Sequence, residues 1–418
     1  MIETTRTDPH AAWRYPAFRD LLIGRLVFLL GTQAQAMALA WEIYVRTNDP
    51  FALGLVALTK GIPMILFTLP GGVIADRFDR RRIMLICLAG ATLTSLGLAW
   101  VSWVEGPLWG LFLLLFIDSS FMRLTTPAGA SLMPLLLPRR LLENGVKWTS
   151  NVFQMTSLAG PALGGFILSW NLQATYLVCA STSIVFIILL LRMKVPPQER
   201  SERRHWVVEA FEGIRFVWSR KVLLGTVSLD LFAVLFGGAV YLLPVFARDI
   251  LPPVFGMAPE QMLGWLNAAP AAGALSMGLI VAHLPPFRRA GRTMLLGVAG
   301  FGLVTIVFGF STNFWLSWGM LFLAGASDNI SVVVRHTLVN LVTPDAMRGR
   351  VSAVNSIFIG SSNELGGFES GLVARLFSPV VSVVSGGVMT LLVVATWARK
   401  FPHMRDFGNL AEASEENT

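Results

Sequence analysis

Apolar runs of about 20 residues recur along this chain from Leu21 to Trp397. Each is long enough to cross a hydrocarbon core roughly 30 Å thick. Only 14% of the residues are charged, against about 25% in a soluble globular chain, too few to clothe a water-facing surface. Runs and breakers place twelve spans. Six lie near 18–45, 53–75, 83–103, 108–135, 144–170 and 173–193, and six near 222–247, 262–284, 293–312, 315–342, 351–374 and 378–398. The fold class expected is therefore an all-α polytopic membrane protein of twelve transmembrane helices. The first run follows a polar start and continues to Tyr44, longer than a signal-peptide core, and reads as a retained helix.

The net charge of +8 raises the possibility of a nucleic-acid partner, but the placement of the charges speaks against one. Basic residues fall in short clusters between apolar runs, without aromatic interleaving, and this is the pattern of topology signals. With twelve spans, 23 of the 33 Lys and Arg fall on the side of the two tails, and three (Arg46, Arg248, Arg375) fall opposite. That bias places both termini in the cytoplasm. The longest polar connection, 194–221, follows span six. Within it Trp206–Trp218 has apolar residues at helical spacing (Val207, Phe211, Ile214, Val217), the pattern of a helix lying on the membrane surface. The organisation expected is a six-helix bundle over 1–193, a linker with a surface helix over 194–221, and a second bundle with a tail over 222–418. Weak internal similarity supports a duplication. "LGLVALTKGIP" at 53–63 aligns with "LGWLNAAPAAG" at 263–273, and "LPRRLLENG" at 137–145 with "TPDAMRGRV" at 343–351. The second offset also sets Gly160 on Gly366 and Gly165 on Gly371.

The sharpest local signal is "GGVIADRFDRRRIM" at 71–84, between spans two and three. Gly72 would let one helix approach another closely. Asp76 could meet the positive N-terminus of a helix, while Arg77, Arg80 and Arg81 could pair with acids or anionic headgroups. The segment resembles the loop signature of the major facilitator superfamily, with Asp79 where that family usually has glycine. The equivalent loop of the second half, "FRRAGRTM" at 287–294, keeps Arg289, Gly291 and Arg292 without an acid. In span five, "GPALGG" (Gly160, Pro161, Gly164, Gly165) resembles the core of that superfamily's antiporter motif. Pro161 removes a backbone donor and the glycines allow close packing. "RTNDPFALGLV" at 46–56, "DLFAVLFGGAVYLLPVFARDIL" at 230–251, "MRGRVSAVN" at 347–355 and "SNELGGFESG" at 362–371 are similar to the bacterial exporter branch that includes the enterobactin exporter. The resemblance covers residues 16–400. It implies two pseudo-symmetric six-helix bundles around a central cavity and proton-driven efflux of small organic molecules, drug-like or siderophore-like, by alternating access.

Ionisable groups inside the membrane cost about 2.5–3.5 kcal/mol each on insertion scales and are functional candidates by default. The deepest here are Arg25, Lys60, Asp118, Arg123, Asp230, Asp328, Arg335, Glu364 and Glu369. Asp328 and Arg335 share a face of span ten, and an arginine leans toward its helix N-terminus, so these two are expected to pair. Glu364 and Glu369 lie about 140° apart around their helix, so at most one faces a cavity. Asp230 has no basic residue within two turns and is the first candidate for a carboxylate that takes up and releases a proton. Spans one and seven are equivalent in the repeat, and Arg25 and Asp230 lie at matching depth, so a switching Arg25–Asp230 pair is a further expectation.

Nothing in the chain points to catalysis. The five histidines form no HExxH, there is no GxSxG or phosphate-cradling loop, and Cys87 and Cys179 lie singly in apolar runs. No cofactor or metal is expected. The partners expected are a small-molecule substrate, protons and the lipid bilayer, with the chain acting as a monomer. A flippase or importer of lipid-like molecules and a non-transporting membrane sensor remain alternatives. The many Phe, Trp and Met residues are accounted for by packing and assign no substrate contact.

Overall fold

The computed structural model describes residues 8, 10–195, 206–285, 287, 289–344 and 347–405. Helices dominate it: α1 (Pro16–Thr47), α2 (Pro50–Arg77), α3 (Arg80–Trp103), α4 (Leu108–Leu136), α5 (Leu142–Trp170) and α6 (Leu172–Arg192), then α7 (Trp206–Ser219), α8 (Lys221–Phe236), α9 (Pro259–His283), α10 (Ala290–Phe310), α11 (Phe314–Val342), α12 (Arg348–Leu376) and α13 (Pro379–Lys400). Among the described residues, eleven stretches are long and apolar enough to span a membrane. The remaining expected span is α12, a helix of 29 residues. Its glutamates, serines and glycines lower its apolarity, and a spanning helix tolerates such residues where it faces protein instead of lipid. The chain is an all-helical multi-pass membrane protein.

Helix boundaries follow local chemistry. Asp79 caps α3 by accepting the N–H of Arg82 at 2.8 Å, with its own φ at −60°, so this position has no need of the glycine usual in the family. Asn171, Asn313 and Ser378 cap α6, α11 and α13 in the same way. Asn48, with a φ of 48°, turns α1 into α2, a left-handed position that asparagine tolerates.

Span seven departs from the continuous helix expected over 222–247. α8 stops at Phe236, and a 3₁₀ segment (Gly238–Leu242), a single α turn (Leu243–Val245) and a π turn (Phe246–Ile250) complete the crossing. Gly237 and Gly238 stand at the break, and Pro244 lacks a donor beyond it. A Cβ at Gly238 would stand 2.7 Å from the carbonyl oxygen of Gly366, and one at Gly366 would stand 2.6 Å from that of Leu235. Only glycine lets the broken segment and α12 touch backbone to backbone.

By contacts the chain forms two compact units, Met1–Leu39 with Leu66–Arg203, and Ala40–Ile65 with Arg204–Thr418. The first is built on a core of α1, α3, α4 and α6 side chains such as Phe18, Met84, Leu132 and Phe186. The second has one core around Leu229, Met294 and Leu338, and another where Val217 of α7 meets Leu223, Val339, Val351 and Val354. The α1–α2 tip, 40–65, belongs to the second unit. The α7 helix forms where its spacing predicts, Val217 packs against α11 and α12, and Glu212 bonds Arg350 at 2.5 Å. Residues 196–205 and the side chains of Val207 and Phe211 lie outside the described residues.

Candidate functional site

The chemistry of the second unit concentrates on α8, α11 and α12. Arg335 of α11 and Asp230 of α8, each 3% exposed, form a buried ion pair. This corrects two expectations, that Arg335 would pair with Asp328 and that Asp230 would stand alone. Seven residues separate Asp328 from Arg335, about 10.5 Å along a helix axis, whereas packed helices lie 8–10 Å apart and a neighbour can offer its carboxylate at the same level. The expected Arg25–Asp230 pair is corrected with them, because Asp230 is already taken by Arg335. Arg25 is half-buried in the first unit, lines a cavity with Phe18, Met133 and Ser150, and has no carboxylate partner among the described residues.

Asp328 takes the place expected for Asp230. It lines a cavity of about 180 Å³ walled by Tyr241, Pro270, Phe301, Phe308 and Asn363, and it makes no hydrogen bond or ion pair with the described residues. Its helix is under-satisfied nearby. Among the described residues, Asn329 Oδ1, Ser331 Oγ and Arg335 Nε are buried without hydrogen-bond partners, whereas the great majority of buried polar atoms are paired. The 3₁₀ segment of span seven supplies the near wall, including the backbone of Gly237 and Gly238. On α12, Glu364 accepts a hydrogen bond from Tyr241 Oη at 3.3 Å, while Glu369 is half-buried and does not line this cavity.

In the first unit the loop signature acts as a clip. Arg80 Nη1 donates to the carbonyl of Ser131 at 2.8 Å, and Arg81 donates to those of Leu190 and Leu191 at 2.9 and 2.7 Å. Both arginines thus meet carbonyls near the C-terminal ends of α4 and α6, where a cation is favoured. Arg77 is exposed. The side chain of Asp76 lies outside the described residues. Gly72 does not serve the close approach expected of it, since a Cβ there would meet nothing within 4 Å. Its neighbour Gly71 does, 3.3 Å from the carbonyl of Arg123. Arg123 itself is half-buried. Asp118 of α4 accepts from Thr94 Oγ1 at 2.9 Å and Gln35 Nε2 at 3.4 Å.

The glycines of "GPALGG" do pack a helix interface. A Cβ at Gly160 would stand 2.7 Å from Gln33 Cβ, and one at Gly164 would stand 2.8 Å from Ala34 Cα, so α5 lies directly on α1. Pro161 and Gly165 are buried beside them. Gly164→Val is expected to force the helices apart at a cost of about 1–3 kcal/mol. A lower melting temperature of the purified protein checks this, and an unchanged one would show that α1 yields freely.

A polar network at the 40–65 tip was not anticipated. Glu42, 1% exposed, pairs with Arg46 at 2.5 Å. Tyr44 Oη hydrogen-bonds Asp249, Arg248 donates to Asn48 Oδ1 at 2.7 Å, and Arg375 meets Asp49 at 3.3 Å. Glu42 sits near the end of an apolar run, where hydropathy does not mark it. The "RTND" segment at 46–49 was the only visible signal.

The family model for transmembrane secretion effectors, a group of the major facilitator superfamily, matches residues 7–416. The chain belongs to this family. This secretion-effector protein is a membrane transporter and not an enzyme. It is 25% identical over 385 residues to the enterobactin exporter EntS of Escherichia coli O1:K1, with 91% of this chain and 90% of that protein covered, and equally to that of the O139:H28 strain E24377A. Among solved structures it is similar to the nucleoside transporter NupG (TM-score 0.71, 14% identity, 93% and 99% of the two chains covered). It is also similar to a bacterial homologue of the lysosomal transporter Spinster (0.71, 16%, 96% and 99%) and to a D-xylose–proton symporter (0.70, 15%, 94% and 99%). These structural likenesses establish the major facilitator fold alone.

Proposed function

We propose that this protein exports small organic molecules from the bacterial cytoplasm across the inner membrane, as a single chain, by proton antiport with alternating access. The observation that carries the reading is Asp328, a carboxylate without a partner in a cavity of the spanning region. An intramembrane acid with no cation beside it is stable when it carries a proton and costly when it does not. It therefore binds a proton reversibly without breaking any contact. The Asp230–Arg335 pair is internally neutral and has no such freedom. In this scheme a proton from outside neutralises Asp328, the protein turns inward, and release of the proton leaves a carboxylate ready for the next cycle. The direction is supported by the relatives named as enterobactin exporters and by the "GPALGG" packing of α5 on α1. The cytoplasmic placement of both termini follows from the basic bias of the loops.

The test uses everted vesicles with an acidic lumen and a panel of metabolites and drugs. Uptake into the vesicles is expected to stop when a protonophore collapses the gradient, and Asp328→Asn is expected to lose the dependence on the gradient. Uptake at full rate with no pH gradient or membrane potential would replace antiport by facilitated diffusion.

A further inference from the structure

We propose that the cavity at Asp328 binds the positively charged nitrogen of the transported molecule, so that the substrates are organic cations bearing an ammonium or pyridinium group. The proposal rests on the transport reading and names the substrate class that this cavity accepts. Its lining includes one carboxylate, Asp328, and the aromatic residues Tyr241, Phe301 and Phe308. Among the described residues lining it there is no lysine, arginine or histidine. An anionic group entering here would be desolvated beside a carboxylate with nothing to neutralise it. A neutral group would leave the charge of Asp328 without a counter-charge. A cation finds the carboxylate and, beside it, aromatic side chains able to offer cation–π contact. Most of the lining is apolar, with a few convergent polar groups, as expected of a site for an organic ligand.

Size narrows the class further. A cavity of about 150 Å³ holds a benzene ring, so about 180 Å³ takes one charged ring or substituted ammonium, with the remainder of the molecule outside. The other acids of α8, α11 and α12 are absent from the described lining of this cavity. From α8 comes Asp230, already bound to Arg335 of α11, and from α12 comes Glu364, which accepts from Tyr241. Neither α9 nor α10 contributes a titratable side chain to the wall. His336 lies eight residues beyond Asp328 on α11 and is exposed. Proton and cation thus occupy the same carboxylate in turn, and one proton entering for each monovalent cation leaving moves no net charge.

The test compares 1-methyl-4-phenylpyridinium with 4-methylbiphenyl, which has the same shape without the charge. Binding of each is measured at pH 8 to the full-length protein in nanodiscs, as wild type and as Asp328→Asn. The wild type is expected to bind the cation at least tenfold more tightly than the neutral compound. Asp328→Asn is expected to lose tenfold or more in affinity for the cation and to bind the neutral compound at least as tightly as the wild type does, which also reports an intact fold. Equal affinity of the wild type for both compounds, or cation binding that survives the substitution, overturns the proposal. If Asp328→Asn loses both ligands, Asp328→Glu replaces it. That variant is expected to keep the preference for the cation, and loss of the preference with neutral binding intact is the overturning result. Selective binding together with export that ignores the pH gradient would defeat antiport and leave the cation site standing. Gradient-driven export without selectivity would do the reverse.

Discussion

Asp230→Leu is expected to cost about 3–5 kcal/mol of stability, because it leaves Arg335 charged in a site where that residue is 3% exposed. Arg335→Met should cost as much by stranding Asp230. The double variant should recover most of the loss, since a buried pair exchanged for apolar residues of similar size is often neutral or stabilising. Melting temperature in detergent and the amount of protein in the membrane check all three. The pattern matters more than any single value. Two damaging single changes with a rescued double identify a pair whose members need each other and nothing else. A double variant as unstable as the singles would show that Arg335 holds further groups together, for which its unsatisfied Nε and the open Asn329 and Ser331 beside it would be the first candidates. Transport by a stable double variant then separates folding from coupling. Near wild-type transport assigns the pair to architecture and leaves proton exchange to Asp328, whereas a stable but inactive double variant brings Asp230 back into the coupling scheme.

The exchange of roles between Asp230 and Asp328 shows where sequence reasoning stops. Helix existence was legible because hydrocarbon thickness fixes run length, and every expected span corresponds to helical structure. The functional candidates on α8, α11 and α12 were legible as well, because charge in a membrane is costly enough to be noticed. Which charges meet was not. Arg335 and Asp328 share a helix face and are close in sequence, but the contact that forms joins residues 105 apart across two helices. Span seven failed for a related reason. "FGGAVYLLP" is apolar throughout, so hydropathy reads it as one crossing, while the break depends on how closely Gly238 must approach Gly366. Gly72 and Gly71 differ by one residue in a motif, and only the structure tells which faces a neighbouring helix. The tip network escaped for the opposite reason. Tyr44, Asn48, Asp49 and Asp249 look like ordinary loop-edge polarity, and their partners come from distant parts of the chain.

Gly371→Val is expected to reduce transport more than tenfold with the protein still present in the membrane. A Cβ at Gly371 would stand 2.7 Å from both the Cα and the N of Gly54 and 3.0 Å from the carbonyl of Pro50, and a Cβ at Gly54 would stand 3.0 Å from the carbonyl of Phe368. Backbone lies on both sides, so no flexible side chain can move aside, and the first turns of α2 must lift from α12. The surrounding charges cannot hold the contact by themselves. Arg375 is 56% exposed and its distance to Asp49 is 3.3 Å, the geometry of a surface pair worth about 0–1 kcal/mol. Asp49→Asn is accordingly expected to change the transport rate less than threefold. The contrast between these two variants carries the argument, and both are read from initial rates normalised to the amount of protein in the membrane. A tip held by charge would reverse the order, with Asp49→Asn the more damaging and Gly371→Val tolerated. A tip that takes no part in the working cycle would leave both at the wild-type rate. The geometry favours backbone packing because two glycines, one on each helix, sit where any larger residue would collide. The ion pairs and the Phe51–Phe368 ring contact at 5.8 Å lie around that contact and set its register rather than its strength.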